Sequence, residues 1–206
     1  MRTSHKEMRR KINAEVSKIT DEELFSSAAF AAYLTDIAEA VTKRYKRKLR
    51  VETIYDTSEN VMIACTNNRN ILINTGNYIS WSMPYRKLKA ESILGLVGHE
   101  VGHMLFTNFR ISETYFSELS YGRLYPQMEL SEEEQESFTE VTDYFKTGTE
   151  EQKQAILKAA KLLLNILEDA YIEARICDRY TGRFATGIHL NNIRFTEMMP
   201  SVTEQL

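Results

Sequence analysis

Apolar residues recur along most of this chain at spacings of three and four, the period of helices buried on one side. Leu24, Phe25, Ala28, Ala31, Ala32, Leu34, Ile37, Ala38 and Val41 follow Thr20-Asp21-Glu22-Glu23, which has the form of a capping box. Residues 1 to about 48 therefore read as an N-terminal helical segment. From Val51 to Ile79 the period shortens. Val51–Tyr55, Val61–Cys65 and Ile71–Asn74 read as three strands separated by turn-rich runs, a small antiparallel meander. Pro84 suits a helix start, and a helix is expected from there to about Thr107. Residues 108 to 130 mix aromatics with Gly122 and Pro126 and read as short helices or irregular chain. Ser131-Glu132-Glu133-Glu134 opens another helix, whose acidic run is expected to be a solvated face. Thr149-Glu150-Glu151-Gln152 caps a long one reaching about Tyr180, with Ile156, Ala159, Leu162, Leu163, Ile166, Leu167, Ala170, Tyr171 and Ala174 as its apolar face. The tail from Thr181 reads as a loop.

The fold class this predicts is α+β: mostly helical, with a three- or four-stranded sheet packed on the helix near residue 100. One domain over residues 1–206 is expected, with a core at 50–180 and a tail at 181–206. Only 8 glycines and 3 prolines in 206 residues fit long helices and few loops. A net charge of -3 provides no general attraction to nucleic acid or anionic membrane. The basic run Lys43–Arg50 is a candidate nucleic-acid or partner patch, but it holds a single aromatic, Tyr45, rather than the series of stacking platforms that single-strand binding uses. A solvated helix end explains it as well. No stretch has the length of a membrane span, and the basic N-terminus has no apolar run behind it. Cys65 and Cys177 lack metal or redox spacing, which fits a reducing, cytoplasmic setting, with a single disulfide between them as the alternative.

The chemistry concentrates in Ile93–Phe106, ILGLVGHEVGHMLF. On a helix, His99 and His103 lie on one face and can reach one metal ion, while Glu100 stands where a carboxylate can take a proton from a water on that ion. Zinc suits such a set of neutral imidazoles and carboxylate. The competing reading is a pair of hydrogen-bonded core histidines. Against it, two of the chain's four histidines fall at this spacing in an apolar helix. Gly95, Gly98 and Gly102 in the same helix suggest close packing or space around a metal.

A catalytic zinc site usually takes three protein ligands. The best source of the third is the acidic stretch Glu168-Asp169-Ala170-Tyr171-Ile172-Glu173 on the long helix. Glu168 is the first choice and Asp169 the second, with Glu173 orienting a histidine from behind. The alternative is a stripe that faces water or pairs with Arg175 and Lys161. His189, Tyr121 and Tyr125 are further candidates for stabilising a transition state, and His189 also for a ligand.

On HEVGH at residues 99–103 and the later acidic helix, the chain resembles the zincin metallopeptidases, in particular the glutamate-liganded group. HEVGHMLFT with LLNILEDAYIEARI is also similar to the N-terminal part of metallopeptidases that carry a von Willebrand A domain in bacterial and phage mobile elements. The resemblance covers about residues 50–180. It implies a small sheet before the active-site helix, with an edge strand, here Ile71–Asn74, aligning an extended peptide or protein substrate. It implies zinc on His99, His103 and Glu168, and Glu100 as general base. Two features depart from the pattern. The acidic motif lies further from His103 than in the compact thermolysin-like arrangement. Many glutamate-liganded zincins also place an acid four residues after the ligand. Ile172 holds that position relative to Glu168, whereas Asp169 has Glu173 there. No Asp-x-Ser-x-Ser motif is present, so a von Willebrand domain is not expected within these residues. The expected function is zinc-dependent peptide hydrolysis. The alternative is a zincin-shaped module that binds a protein partner without turnover.

Overall fold

The computed structural model describes residues 4–45 and 48–200. In chain order its elements are α1 (His5–Val16), α2 (Asp21–Phe25), α3 (Ala28–Thr42), β1 (Arg50–Ile54), β2 (Ala64–Thr66), β3 (Asn70–Asn74), α4 (Tyr78–Trp81), α5 (Arg86–Phe106), α6 (Phe109–Ser120), α7 (Glu132–Thr147), α8 (Glu150–Arg179) and α9 (Arg183–Met198). The protein is thus α+β and mostly helical, with one small sheet, as its sequence pattern predicts. Residues 1–3 of the expected N-terminal helical segment, Lys46 and Arg47 of the basic run, and residues 201–206 of the expected tail lie outside the described residues. No described helix is long and apolar enough to cross a membrane. The chain groups into two compact units, residues up to Leu105 with Glu173 onward, and Phe106–Ile172.

In the first unit the caps read from sequence are present. Thr20 Oγ1 accepts from Glu23 N at 3.1 Å, and Glu23 Oε2 accepts from Thr20 N at 2.8 Å, so two N–H groups at the start of α2 are satisfied reciprocally. At the head of the same helix Asp21 takes Arg86 Nε at 2.6 Å and Lys89 Nζ at 2.9 Å, tying α2 to α5. Burial works to raise the Asp21 pKa, but the hydrogen bonds and charges of Lys89 and Arg86 together hold it below the ordinary 3.8. Its contribution to stability is therefore complete above that value and is lost as pH falls through the lowered one. Asp21→Asn is expected to destabilise the protein by about 1–2 kcal/mol at neutral pH. Urea unfolding should show that difference shrinking below about pH 4.

The sheet corrects one expectation. It is not an antiparallel meander, because its order is β1-β3-β2, with β1 parallel and β2 antiparallel to β3. β3 (Ile71–Asn74 in the sequence reading) is therefore the central strand, and β1 and β2 flank it, β1 meeting Thr35 of α3, whose Oγ1 accepts from Val51 N at 3.0 Å. Strand alternation reports which side chains share a face but not which strand is the neighbour. Burial supplies the reason for the order: Ile71 and Ile73 are fully buried, so the most apolar strand takes the middle. The core of this unit also holds Phe25, Leu34, Ala38 and Val51, with Ile93, Leu94, Val97 and Val101 from α5. Asn74, at the end of β3, fixes the exit of the chain. Its Oδ1 accepts from Asp56 N and Gly76 N, both at 3.0 Å, and its Nδ2 donates to Asp56 O at 2.8 Å.

The tail is the second correction. Residues 183–198 form α9 rather than a loop. Gly187 and the pair Asn191-Asn192 have weak helix propensity, which hides the element in the sequence. Phe184, Ile188 and Asn191 nevertheless recur at helical spacing, and all three are buried. α9 crosses α5 where Gly187 meets Gly95. A β-carbon on Gly95 would lie 2.7 Å from Ile188 N, and one on Gly187 would lie 2.7 Å from Gly95 Cα, so the two backbones touch. Asn191 Nδ2 donates to Ser92 O at 2.9 Å, and Arg194 Nε donates to Ser82 Oγ at 2.9 Å. Tertiary contact thus outweighs local propensity here.

The second unit contains α6, α7 and the larger part of α8. Asn108 caps α6 through Ile111 N. Ser131 with Glu134, and Thr149 with Gln152, cap α7 and α8 as their sequences indicate. Gly122 sits at φ +67°, a conformation that favours glycine, after α6. The apolar face expected of α8 is present but uncovered: Leu162, Leu163, Ile166, Leu167 and Tyr171 are each more than half exposed.

Candidate metal centre

α5 is buried nearly all round from Ser92 to Met104, as its apolar composition requires. Within that run His99 and His103 remain half-buried rather than sealed in the core. They are one turn apart, so their rings project from the same face, with centroids 4.9 Å apart and planes at 75°. Glu100, only 5% exposed, is the next residue round the helix from His99. Such a carboxylate needs a fixed polar function, because burial alone penalises its charge.

His99 is oriented from behind. Its Nδ1 lies 2.9 Å from Glu173 Oε1 on α8, a group that only accepts while ionised. Nδ1 therefore carries the proton, and Nε2 is the nitrogen with a lone pair for a metal. The second oxygen of Glu173 is occupied as well, accepting from Asn192 Nδ2 at 2.9 Å. Glu173, expected from sequence to stand behind a histidine, is thus placed at hydrogen-bond distance from His99.

α8 runs without interruption from Glu150 to Arg179, so Asp169 stands one turn before Glu173 on the same stripe. His99, His103 and Asp169 each offer one ligand atom, and these atoms lie within 4.8 Å of one another. Two imidazoles with a carboxylate are the donor chemistry of a zinc site with a place left for water, so the residues fit that ion. The sequence reading put Glu168 ahead of Asp169. Glu168 is half-buried on the next helical stripe, and among the described residues it does not join this group. The residue four after it, Ile172, is fully buried and apolar, whereas the residue four after Asp169 is the carboxylate that holds His99.

His189 is exposed on α9, one turn before Asn192. Tyr121 is also exposed, with the Arg123 guanidinium 4.9 Å above its ring, and Tyr125 is half-buried in the connection after it. Two residues near the site escape a sequence reading. Asn192 is hidden because its helix is hidden. Cys65 on β2 has no motif, yet burial and then the charge of Glu100 push its thiol above the ordinary value, which sets the middle of β2 within electrostatic reach of Glu100. Burial and then Glu173 do the same to Cys177. Both cysteines are free thiols.

β2 also has an open backbone edge. Ile63 O accepts from Asn74 N at 2.9 Å and Asn70 O accepts from Asn67 N at 3.3 Å, so residues 63, 65 and 67 direct their polar groups at β3. The N–H and C=O of Ala64 and Thr66 consequently turn the other way. No protein-family model, curated protein or solved structure matches this chain.

Proposed function

We propose that this protein is a zinc-dependent metallopeptidase of the zincin type, which hydrolyses an extended peptide or protein segment. The observation that carries the reading is the arrangement on α5: two histidines a turn apart, one of them braced by a carboxylate, with a buried glutamate beside them. A core pair of histidines would need no brace of that kind on its outward side. In this reading His99, His103 and Asp169 would hold the zinc ion. Bound zinc would supply Lewis acidity toward the scissile carbonyl and lower the pKa of water toward about 7.

The protein's own groups do the rest. Glu173 keeps the His99 proton on Nδ1, so that the ring stays in one tautomer and one orientation. Glu100 accepts the proton of the attacking water and passes it to the departing amine nitrogen. The apolar wall of α5 around Glu100 keeps bulk water from competing for that proton. The substrate backbone pairs with the outward N–H and C=O groups of Ala64 and Thr66, adding a strand to the edge of the sheet at β2. This replaces the alignment on Ile71–Asn74 expected from sequence, since that strand has partners on both sides.

The test is cleavage of a mixed peptide library by zinc-loaded protein, read by mass spectrometry. Cleavage abolished by chelation and restored by zinc supports the reading, and an unchanged library overturns it.

A second reading, a module that holds a protein partner without turnover, draws on the uncovered apolar face of α8. It predicts partner capture that survives loss of Glu100.

A further inference from the structure

We infer that Asn192 is a positioning residue for the metal centre, acting on His99 through Glu173; the inference rests on the zinc reading above. A carboxylate that receives one hydrogen bond can still turn about its last bond and let the imidazole swing. Glu173 receives one on each oxygen, from His99 Nδ1 at 2.9 Å on Oε1 and from Asn192 Nδ2 at 2.9 Å on Oε2. Its plane is thereby fixed.

What makes this more than a surface hydrogen bond is where Asn192 stands. Its helix, α9, is locked onto α5, the helix that bears His99, by the backbone contact of Gly187 with Gly95 and by Asn191 on Ser92 O. The linkage closes a ring: α5 to His99, His99 to Glu173, Glu173 to Asn192, and α9 back to α5. A ligand held in such a ring keeps its direction without the metal, so little ordering remains when zinc binds. Neighbouring residues on α9 divide the work. Asn191 faces inward and fixes the helix, and Asn192 faces outward and fixes the carboxylate.

Asn192 is exposed, so its substitution should leave the fold intact, and stability and zinc affinity become separable. The experiment measures zinc affinity by competition with a chromophoric chelator for the native chain, Asn192→Ala, Asn192→Leu (similar in size, without the donor) and His103→Ala. Apo-protein melting temperatures are recorded alongside. The native chain should bind zinc, and both Asn192 variants should bind it about 10-fold or more weakly. Their apo melting temperatures should equal that of the native chain. In the apo protein, the His99 Nδ1–H proton resonance should be sharp in the native chain and broadened by exchange in both variants. Variants that bind zinc as tightly as the native chain would overturn the inference while leaving the metal centre standing. A native chain that binds zinc no better than His103→Ala would overturn the metal centre, and the inference with it.

Discussion

Replacing Glu100 with glutamine should lower peptide hydrolysis by about 10²- to 10⁴-fold while leaving the zinc content unchanged. Glutamine keeps the shape and one acceptor oxygen but cannot take up a proton at neutral pH. It sits at a position that is 5% exposed, so bulk solvent does not replace it as base at equal efficiency. The metal ligands in the proposed site lie on other residues, so their affinity should be retained. The loss should appear in kcat more than in KM, because the proton moves only in the chemical step. Steady-state kinetics on a cleaved library peptide, with metal analysis of the same samples, checks both parts. A Glu100→Gln protein that retains full turnover would remove Glu100 from the mechanism. One that loses zinc as well as activity would make it a ligand or a structural support instead.

Substituting Gly95 should cost more stability than substituting Gly98 or Gly182. In an open helix, Gly→Ala stabilises by about 1 kcal/mol. Here the added methyl meets the backbone of Gly187 and Ile188, which has no rotamer to change and must shift with all of α9. Gly95→Ala is expected to cost a net of about 2–3 kcal/mol, in the range of overpacked cores. For a chain of this size that is a fall in melting temperature of roughly 5–10 °C. Gly98→Ala should cost less, because the nearest atoms belong to the Phe184 side chain, which can give way. Gly182→Ala meets nothing within 4 Å and should be close to neutral. Thermal unfolding of the three variants measures the order directly. A Gly95→Ala protein as stable as Gly182→Ala would mean that α5 and α9 do not cross as described. Because α9 carries Asn192, Gly95→Ala should also weaken zinc binding, unlike Gly182→Ala.

Much of this architecture could be read from residues alone, for identifiable reasons. α7 and α8 announce themselves by their caps, Ser131-Glu134 and Thr149-Gln152, and α5 by the apolar run that follows Pro84. His99, Glu100 and His103 were legible because their polar chemistry interrupts an apolar helix. The order of the strands was not, since alternation in Ile71–Asn74 is the same whether that strand is central or at an edge. α9 was hidden by Gly187, a residue that weakens a lone helix but permits the backbone contact that forms this one. The choice between Glu168 and Asp169 turned on phase. Counting forward four residues separates them, since Ile172 is a core residue and Glu173 a partner of His99.

The central claim is that His99, His103 and Asp169 hold a metal, and the most direct measurement is metal content by elemental analysis of the purified protein beside His103→Ala. The account predicts about one zinc per native chain. The His103→Ala protein should be largely empty, with its fold retained. Native protein that carries no zinc even after zinc is supplied, while remaining folded, would contradict the account, leaving α5 a core helix whose histidines serve packing alone.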